Sequence, residues 1–286
     1  MKKMKKLLLS AVFIAFSFTS FSQVGVGTST PNASAALDVS STTKGFLPPR
    51  MTKVQLEAIA SPIEGLMVYC TDCVPKTLYV FDAFNFVSIS NNTPSGLSST
   101  DVYSGATGKT WMDRNLGATQ VATSSADAAS YGDLYQWGRA SDGHESRTST
   151  NTTTQSSTDT PGNDNFVKGS DDWRLTVNDN LWQGVSGTNN PCPSGYRLPT
   201  ETELNAERLA FATQNAAGAF VSVLKLPAAG YRVYSSGSLF DVSASGVYWT
   251  STVVGDFPSL LFVNSMGSSI ENYYKSYGFS VRCIKD

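Results

Sequence analysis

Asn190-Pro191-Cys192-Pro193-Ser194-Gly195-Tyr196-Arg197-Leu198-Pro199-Thr200-Glu201-Thr202-Glu203-Leu204 is the stretch on which the reading of this chain turns. Three prolines, a glycine and a cysteine describe a rigid corner. At its end Thr200 and Glu203 have the spacing of a capping box, in which the threonine hydroxyl and the glutamate carboxylate each satisfy an amide of a helix start. A corner that feeds a helix is architectural, so fold and compartment are more legible here than chemistry.

Working outward, the 286 residues are 41% hydrophobic and 15% charged, with a net charge of -2. That supports a sizeable core in one or two domains. It gives no electrostatic case for nucleic acid or an anionic lipid surface. Abundant Gly, Ser, Thr and Asn with little helical periodicity predict short strands and many turns.

Lys2, Lys3, Lys5 and Lys6, the apolar run Leu7 to Phe18 and the small-x-small Ser20-Phe21-Ser22 predict a signal peptide over residues 1–22. The apolar run is shorter than the roughly 20 residues of a spanning helix, and no later segment is long enough. The mature chain is therefore expected to be exported, to the periplasm, cell surface or medium, and not to span a membrane. Export makes the four cysteines disulfide candidates. Cys192 with Cys283 would close most of the last third of the chain, a constraint of about 4–5 kcal/mol on the unfolded state. Cys70-Thr71-Asp72-Cys73 is read as a local bridge across a turn, in preference to a redox motif or half a zinc site.

In chain order, Val24-Gly25-Val26 and Ala36-Leu37-Asp38-Val39 are thin strand-like segments with too little apolar surface to fold alone. Lys53 to Ala60 reads as a short helix capped by Thr52. Gly65–Cys70 and Thr77–Phe81 read as a hairpin. Residues 88–100 are polar and breaker-rich, a linker. Beyond it lie Trp111 in a strand, a polar loop over about 140–170 and a helix from Leu204 to Ala217 with Leu204, Leu209 and Phe211 facing a core. Strands are expected at 221–226, 230–234, 246–252, 259–263 and 278–284.

Two resemblances follow from these residues. Leu37-Asp38-Val39 with Lys44-Gly45-Phe46-Leu47-Pro48-Pro49-Arg50-Met51-Thr52, and the hairpin Gly65-Leu66-Met67-Val68-Tyr69 with Leu78-Tyr79-Val80, resemble a module at the start of secreted Bacteroidetes proteins that is similar to phage tail-fibre segments. Such segments are often trimeric, so the resemblance implies a homotrimer; a small hairpin packed on its own chain is the plainer alternative. "GKTWMDRNLG" (108–117), "YGDLYQWGR" (131–139), the corner at Cys192, "LPAAGYR" (226–232), "GVYWTST" (246–252) and "GFSVRCIKD" (278–286) resemble, in that order, the Fibrobacter succinogenes major paralogous domain. Parts of that pattern are similar to the formylglycine-generating enzymes, whose fold is related to C-type lectins. The implied class is α+β: a loop-rich C-type-lectin-like, sulfatase-modifying-factor-like domain over 101–286, a small β-hairpin module over 23–90 and a linker over 91–100.

Chemistry is sparse. The formylglycine-generating enzymes bind copper through paired cysteines before their last motif; Glu271 to Tyr277 here holds none, which speaks against that oxidase chemistry. One histidine, His144, gives neither a triad nor a zinc site and reads as a solvated loop residue. Asp171, Asp172 and Asp179 are weak calcium candidates because oxygen ligands suit that ion, although Asp also simply forms loops. No other cofactor is expected. Trp111 and Trp249 belong in the core. Trp173, Trp182, Tyr273 and Tyr274, in loops, are candidates for contact with a glycan or protein ligand. The expected function is a non-enzymatic binding or adhesion protein, with a structural envelope or fibre component as the alternative and an oxidase as the remotest.

Overall fold

The computed structural model describes residues 23–89, 97, 98 and 100–286. The expected signal peptide and most of the expected linker fall outside the described residues. Among the described residues short strands dominate, gathered into several small sheets, with short α-helices at Lys53–Glu57, Glu201–Leu209 and Ala216–Val221. The result is a loop-rich α+β chain. It divides into two compact units, one ending at Pro49 and the other spanning Arg50–Asp286.

In the first unit Val24–Val26 pairs in parallel with Leu37–Val39, Val24 opposite Leu37 and Val26 opposite Val39. Gly27 makes the turn possible at φ +77, where an added Cβ would lie 2.1 Å from the Ser40 carbonyl oxygen. Asp38 accepts from the Asn32 amide at 2.8 Å and pins the connection. The four apolar side chains of the pair remain exposed: Val24 at 55%, Val26 at 51%, Leu37 at 53% and Val39 at 41%.

The second unit opens with a four-stranded sheet in the order Arg50–Met51, Met67–Cys70, Leu78–Phe81, Phe86–Ser88. Thr52 and Gln55 form a capping box on the helix Lys53–Glu57. Leu56 from that helix packs with Val68, Cys70, Tyr79 and Phe86, a small core of its own. Cys70 and Cys73 are bridged across the turn that follows.

From residue 101 the architecture is set by what the corner meets. Tyr196–Arg197 pairs antiparallel with Ile284–Lys285, which also pairs with Lys109–Met112, itself in a hairpin with Asp101–Ser104. The last strand thus lies between the first hairpin and the corner. Cys192 and Cys283 consequently come within 5.9 Å between Cα atoms and are bridged. Thr200 accepts from the Glu203 amide and Glu203 returns the bond to the Thr200 amide, as expected of the capping box. Arg197 adds two contacts of 2.8 Å to the same carboxylate.

The expected single helix to Ala217 stops at Leu209, and Leu209 is 64% exposed rather than in the core. Gln214 caps the Arg208 and Phe211 carbonyls, and Asn215 caps a new helix through the Gly218 amide. Polar side chains that bond locally to backbone compete with helix continuation, and here they win. That second helix runs to Val221, so the strand expected at 221–226 does not form.

Gly246–Val254, Phe257–Val263 and Ser268–Asn272 make an antiparallel sheet. Both of its faces are buried. Val247, Trp249 and Leu260 join Trp137, Trp182, Leu198, Phe279 and the Cys192–Cys283 bridge. Tyr248, Leu261 and Val263 join Trp111, Leu204, Phe211 and Ile284. Near-continuous apolar runs, instead of strict alternation, are what two buried faces require. Among the described residues no helix is long and apolar enough to cross a membrane.

Candidate functional site

The polar loop over 140–170 is held to the core by the buried Phe166 and Val167 and by buried arginines that satisfy its carbonyls. Arg139, fully buried, donates to Gln136, Asp142 and the carbonyls of Asn163 and Asn165. Arg232 donates to the carbonyls of Gly237, Ser146 and Ser149 and to Asn151, and its guanidinium lies 4.2 Å from the Phe166 ring centroid. Burial lowers the Arg232 pKa to about 10, and the group stays charged at neutral pH. Planar five-donor forks suit a loop built from unpaired carbonyls.

His144 is fully buried, not solvated as expected. The Gln136 amide donates to its Nε2 at 3.0 Å, so Nδ1 carries the proton and donates to Asp142 at 2.6 Å. Glu145 lies 3.3 Å from the same nitrogen. Asp142 and Glu145 could with His144 surround an ion. Yet Asp142 is already occupied by Arg139 and by the imidazole, and every polar atom of the ring has a partner. Burial would raise the Asp142 carboxyl, but His144 and Arg139 outweigh it and hold it below its ordinary value. The cluster is a structural knot.

The tryptophan candidates are also structural. Trp173 and Trp182 are fully buried. Trp173 Nε1 donates to the Trp137 carbonyl at 2.7 Å, and Trp182 Nε1 donates to the carbonyls of Arg139 and Asn189. Neither indole offers a face to a ligand. An indole that finds a buried carbonyl can sit in a core even when its segment is irregular. Alanine at either position would remove about 3–5 kcal/mol of packing.

Among the calcium candidates, Asp172 and Asp179 flank Lys275, whose ammonium lies 2.6 Å from Asp179 and 3.7 Å from Asp172. Lys275 is buried, its Nζ 5.6 Å from the Trp137 ring centroid. The lysine supplies the positive charge that a calcium ion would have brought. Asp171 contributes its carbonyl to the Ser276 amide. Desolvation raises the Asp172 carboxyl, with Lys275 pulling the other way.

Tyr273 and Tyr274 stand differently. With Phe257, Asn272 and Tyr277 they line an open pocket of ≈ 280 Å³ at the end of the strand Ser268–Asn272. This strand was missed in the sequence because Ser268-Ser269-Ile270-Glu271-Asn272 carries a single large apolar residue. Tyr234 reaches the same wall, its ring centroid 5.1 Å from Tyr274 and 4.9 Å from Tyr277. Tyr277 in turn stacks on the buried Phe279 at 5.2 Å, and Tyr231 abuts both. Five tyrosines from two separate stretches thus form a continuous aromatic wall backed by the core.

Comparison with known proteins places one part of the chain: residues 25–109 match the family described as "Phage tail like trimerisation region". No curated protein matches the chain, and no solved structure matches it. The tail-fibre-like character of the N-terminal part is therefore the family-level finding.

Proposed function

We propose that the chain is a structural component of a fibre or envelope assembly, joined into a homotrimer through its N-terminal part and carrying the domain from residue 101 as an exported head. The observation that carries this reading is the pair Val24–Val26 and Leu37–Val39, whose apolar side chains are all exposed, and which, apart from Val24, lies in the residues 25–109 that match a trimerisation family. Two three-residue strands cannot bury enough surface to be stable alone, and three copies together can cover what one leaves open. Two disulfides and no free cysteine suit an oxidising compartment. The order of the motifs from Gly108 to Asp286 supports a lectin-like reading of the head.

The test is the native mass of the chain from Gln23 onward, measured across micromolar concentrations. A trimer is expected, and Val26→Asp with Val39→Asp should shift it to monomer, because each copy would bring a charge into the shared apolar face. A wild-type monomer at every concentration would overturn the proposal.

A further inference from the structure

Nine tyrosines of this chain divide by what their hydroxyls do, and Tyr273 hydrogen-bonds to the Glu271 carboxylate. Tyr79 donates to the Pro75 carbonyl, Tyr248 to the Pro227 carbonyl and Tyr196 to Asp101, while Tyr131 pairs with Ser243 and Tyr135 with Ser141. All five have a satisfied polar end, and all but the half-buried Tyr196 lie in the core. Tyr231, Tyr234, Tyr274 and Tyr277 are half-buried, and their hydroxyls have no protein partner among the described residues. Burial and the neighbouring phenols push Tyr277 up to about 12, so its hydroxyl keeps its proton and remains a donor.

The wall is also ordered. Tyr277 is fixed by stacking on Phe279, and Tyr273 meets Tyr277 edge-on at 5.3 Å. Tyr274 is held between Tyr234 and Phe257, at 5.1 and 5.6 Å. The rings are therefore positioned before any ligand arrives, which limits the entropy lost on binding. None of the side chains lining the pocket is charged, and Asn272 adds an amide that can both donate and accept.

From this geometry we infer that the pocket of Phe257, Asn272, Tyr273, Tyr274 and Tyr277 is a binding site for a neutral saccharide. A pyranose ring has an apolar C–H face, which matches an aromatic face, and a rim of hydroxyls, which matches free phenols and an amide. An anionic glycan or a phosphorylated ligand would find no cation lining the pocket, and an aliphatic ligand would leave the polar groups unmatched. The site goes beyond the fibre proposal and does not depend on the oligomeric state.

The test uses the full exported chain and a panel of neutral hexasaccharides (α- and β-linked glucose, mannose, galactose and N-acetylglucosamine), titrated by calorimetry. At least one should bind saturably. Tyr274→Ala should weaken it about tenfold, the loss of one stacked ring, and Tyr274→Phe should keep most of the affinity. Tyr273→Ala serves as a second variant, because Tyr273 is among the more exposed rings and its removal should leave the thermal midpoint unchanged. Saturation by none of the panel, or equal binding by wild type and both folded alanine variants, would overturn the assignment. So would preferential binding of a sulfated or sialylated saccharide in a parallel titration.

Discussion

Removing the Cys192–Cys283 bridge tests the architecture most directly. The bridge joins residues 91 apart in sequence. On the chain-entropy relation a loop of that length constrains the unfolded chain by about 4–5 kcal/mol, whereas the Cys70–Cys73 bridge, with a separation of 3, contributes about 2 kcal/mol. Both bridges lie in the second unit, but Cys70–Cys73 belongs to the small core around Leu56, whereas all five tryptophans, Trp111, Trp137, Trp173, Trp182 and Trp249, are buried in the later clusters. Urea unfolding followed by tryptophan fluorescence therefore reports on the part of the unit that the long bridge closes. Cys192→Ala with Cys283→Ala should lower its midpoint by about 2 M urea if m is about 2 kcal/mol/M. Cys70→Ala with Cys73→Ala should leave that transition nearly unmoved. A loss below about 1 kcal/mol for the long bridge would refute the reasoning, as would an equal shift from the short one. The first result would mean that the corner and the last strand are held together without the covalent link, the second that the Leu56 core and the tryptophan clusters unfold as one.

Two further stability predictions come from single side chains. Burial would raise the Glu203 carboxyl, but hydrogen bonds from Arg197 and the Thr200 amide outweigh it and bring it to about 2 from an ordinary 4.5. A depressed carboxyl contributes stability above its unfolded-state pKa and loses it as pH falls through the folded value. Glu203→Gln should therefore lose about 1–2 kcal/mol at pH 7, after allowance for solvent screening, and the gap from wild type should close as pH drops from about 4.5 to 2, as measured by urea titration at each pH. His144→Leu fills the same volume but leaves the buried Gln136 amide without an acceptor and takes a donor from Asp142. It should lower stability by about 2–3 kcal/mol in the tryptophan-monitored transition; an unchanged midpoint would mean that water restores the lost bonds.

How much was legible depended on whether a feature was local. The Thr200 cap, the hairpin after Gly65 and the strands at Gly246 and Ser259 are written in adjacent residues, and they are present. The two bridges followed from counting cysteines in a chain read as exported. His144 reads as solvated in sequence because its neighbours Asp142, Gly143 and Glu145 look like a solvated turn. The partners that bury it come from the Gln136 strand, and its anchor Arg139 reaches the carbonyls of residues 163 and 165. Leu209 was misplaced for a related reason: helix periodicity continued past it, while the side chains of Gln214 and Asn215 ended the element.

The aromatic residues show why burial can be read from composition more easily than from context. Trp173 and Trp182 lie in segments of Asp, Asn and Gly, which suggested exposure. Each indole nevertheless needs only one acceptor, and a core crossed by irregular backbone has unpaired carbonyls to give, here those of Trp137, Arg139 and Asn189. The indoles are buried because these carbonyls serve their N–H groups, and the carbonyls are satisfied by the indoles in return. Tyr273, Tyr274 and Tyr277 have no such exchange available: they follow an edge strand whose partner Phe257–Val263 takes the backbone bonds. With no carbonyl to meet, their hydroxyls stay at the surface while Phe279 holds the wall from behind. The two tryptophans thus differ from these tyrosines in having buried backbone acceptors within reach. The stability of the second unit should therefore respond strongly to the tryptophans and weakly to Tyr273 and Tyr274.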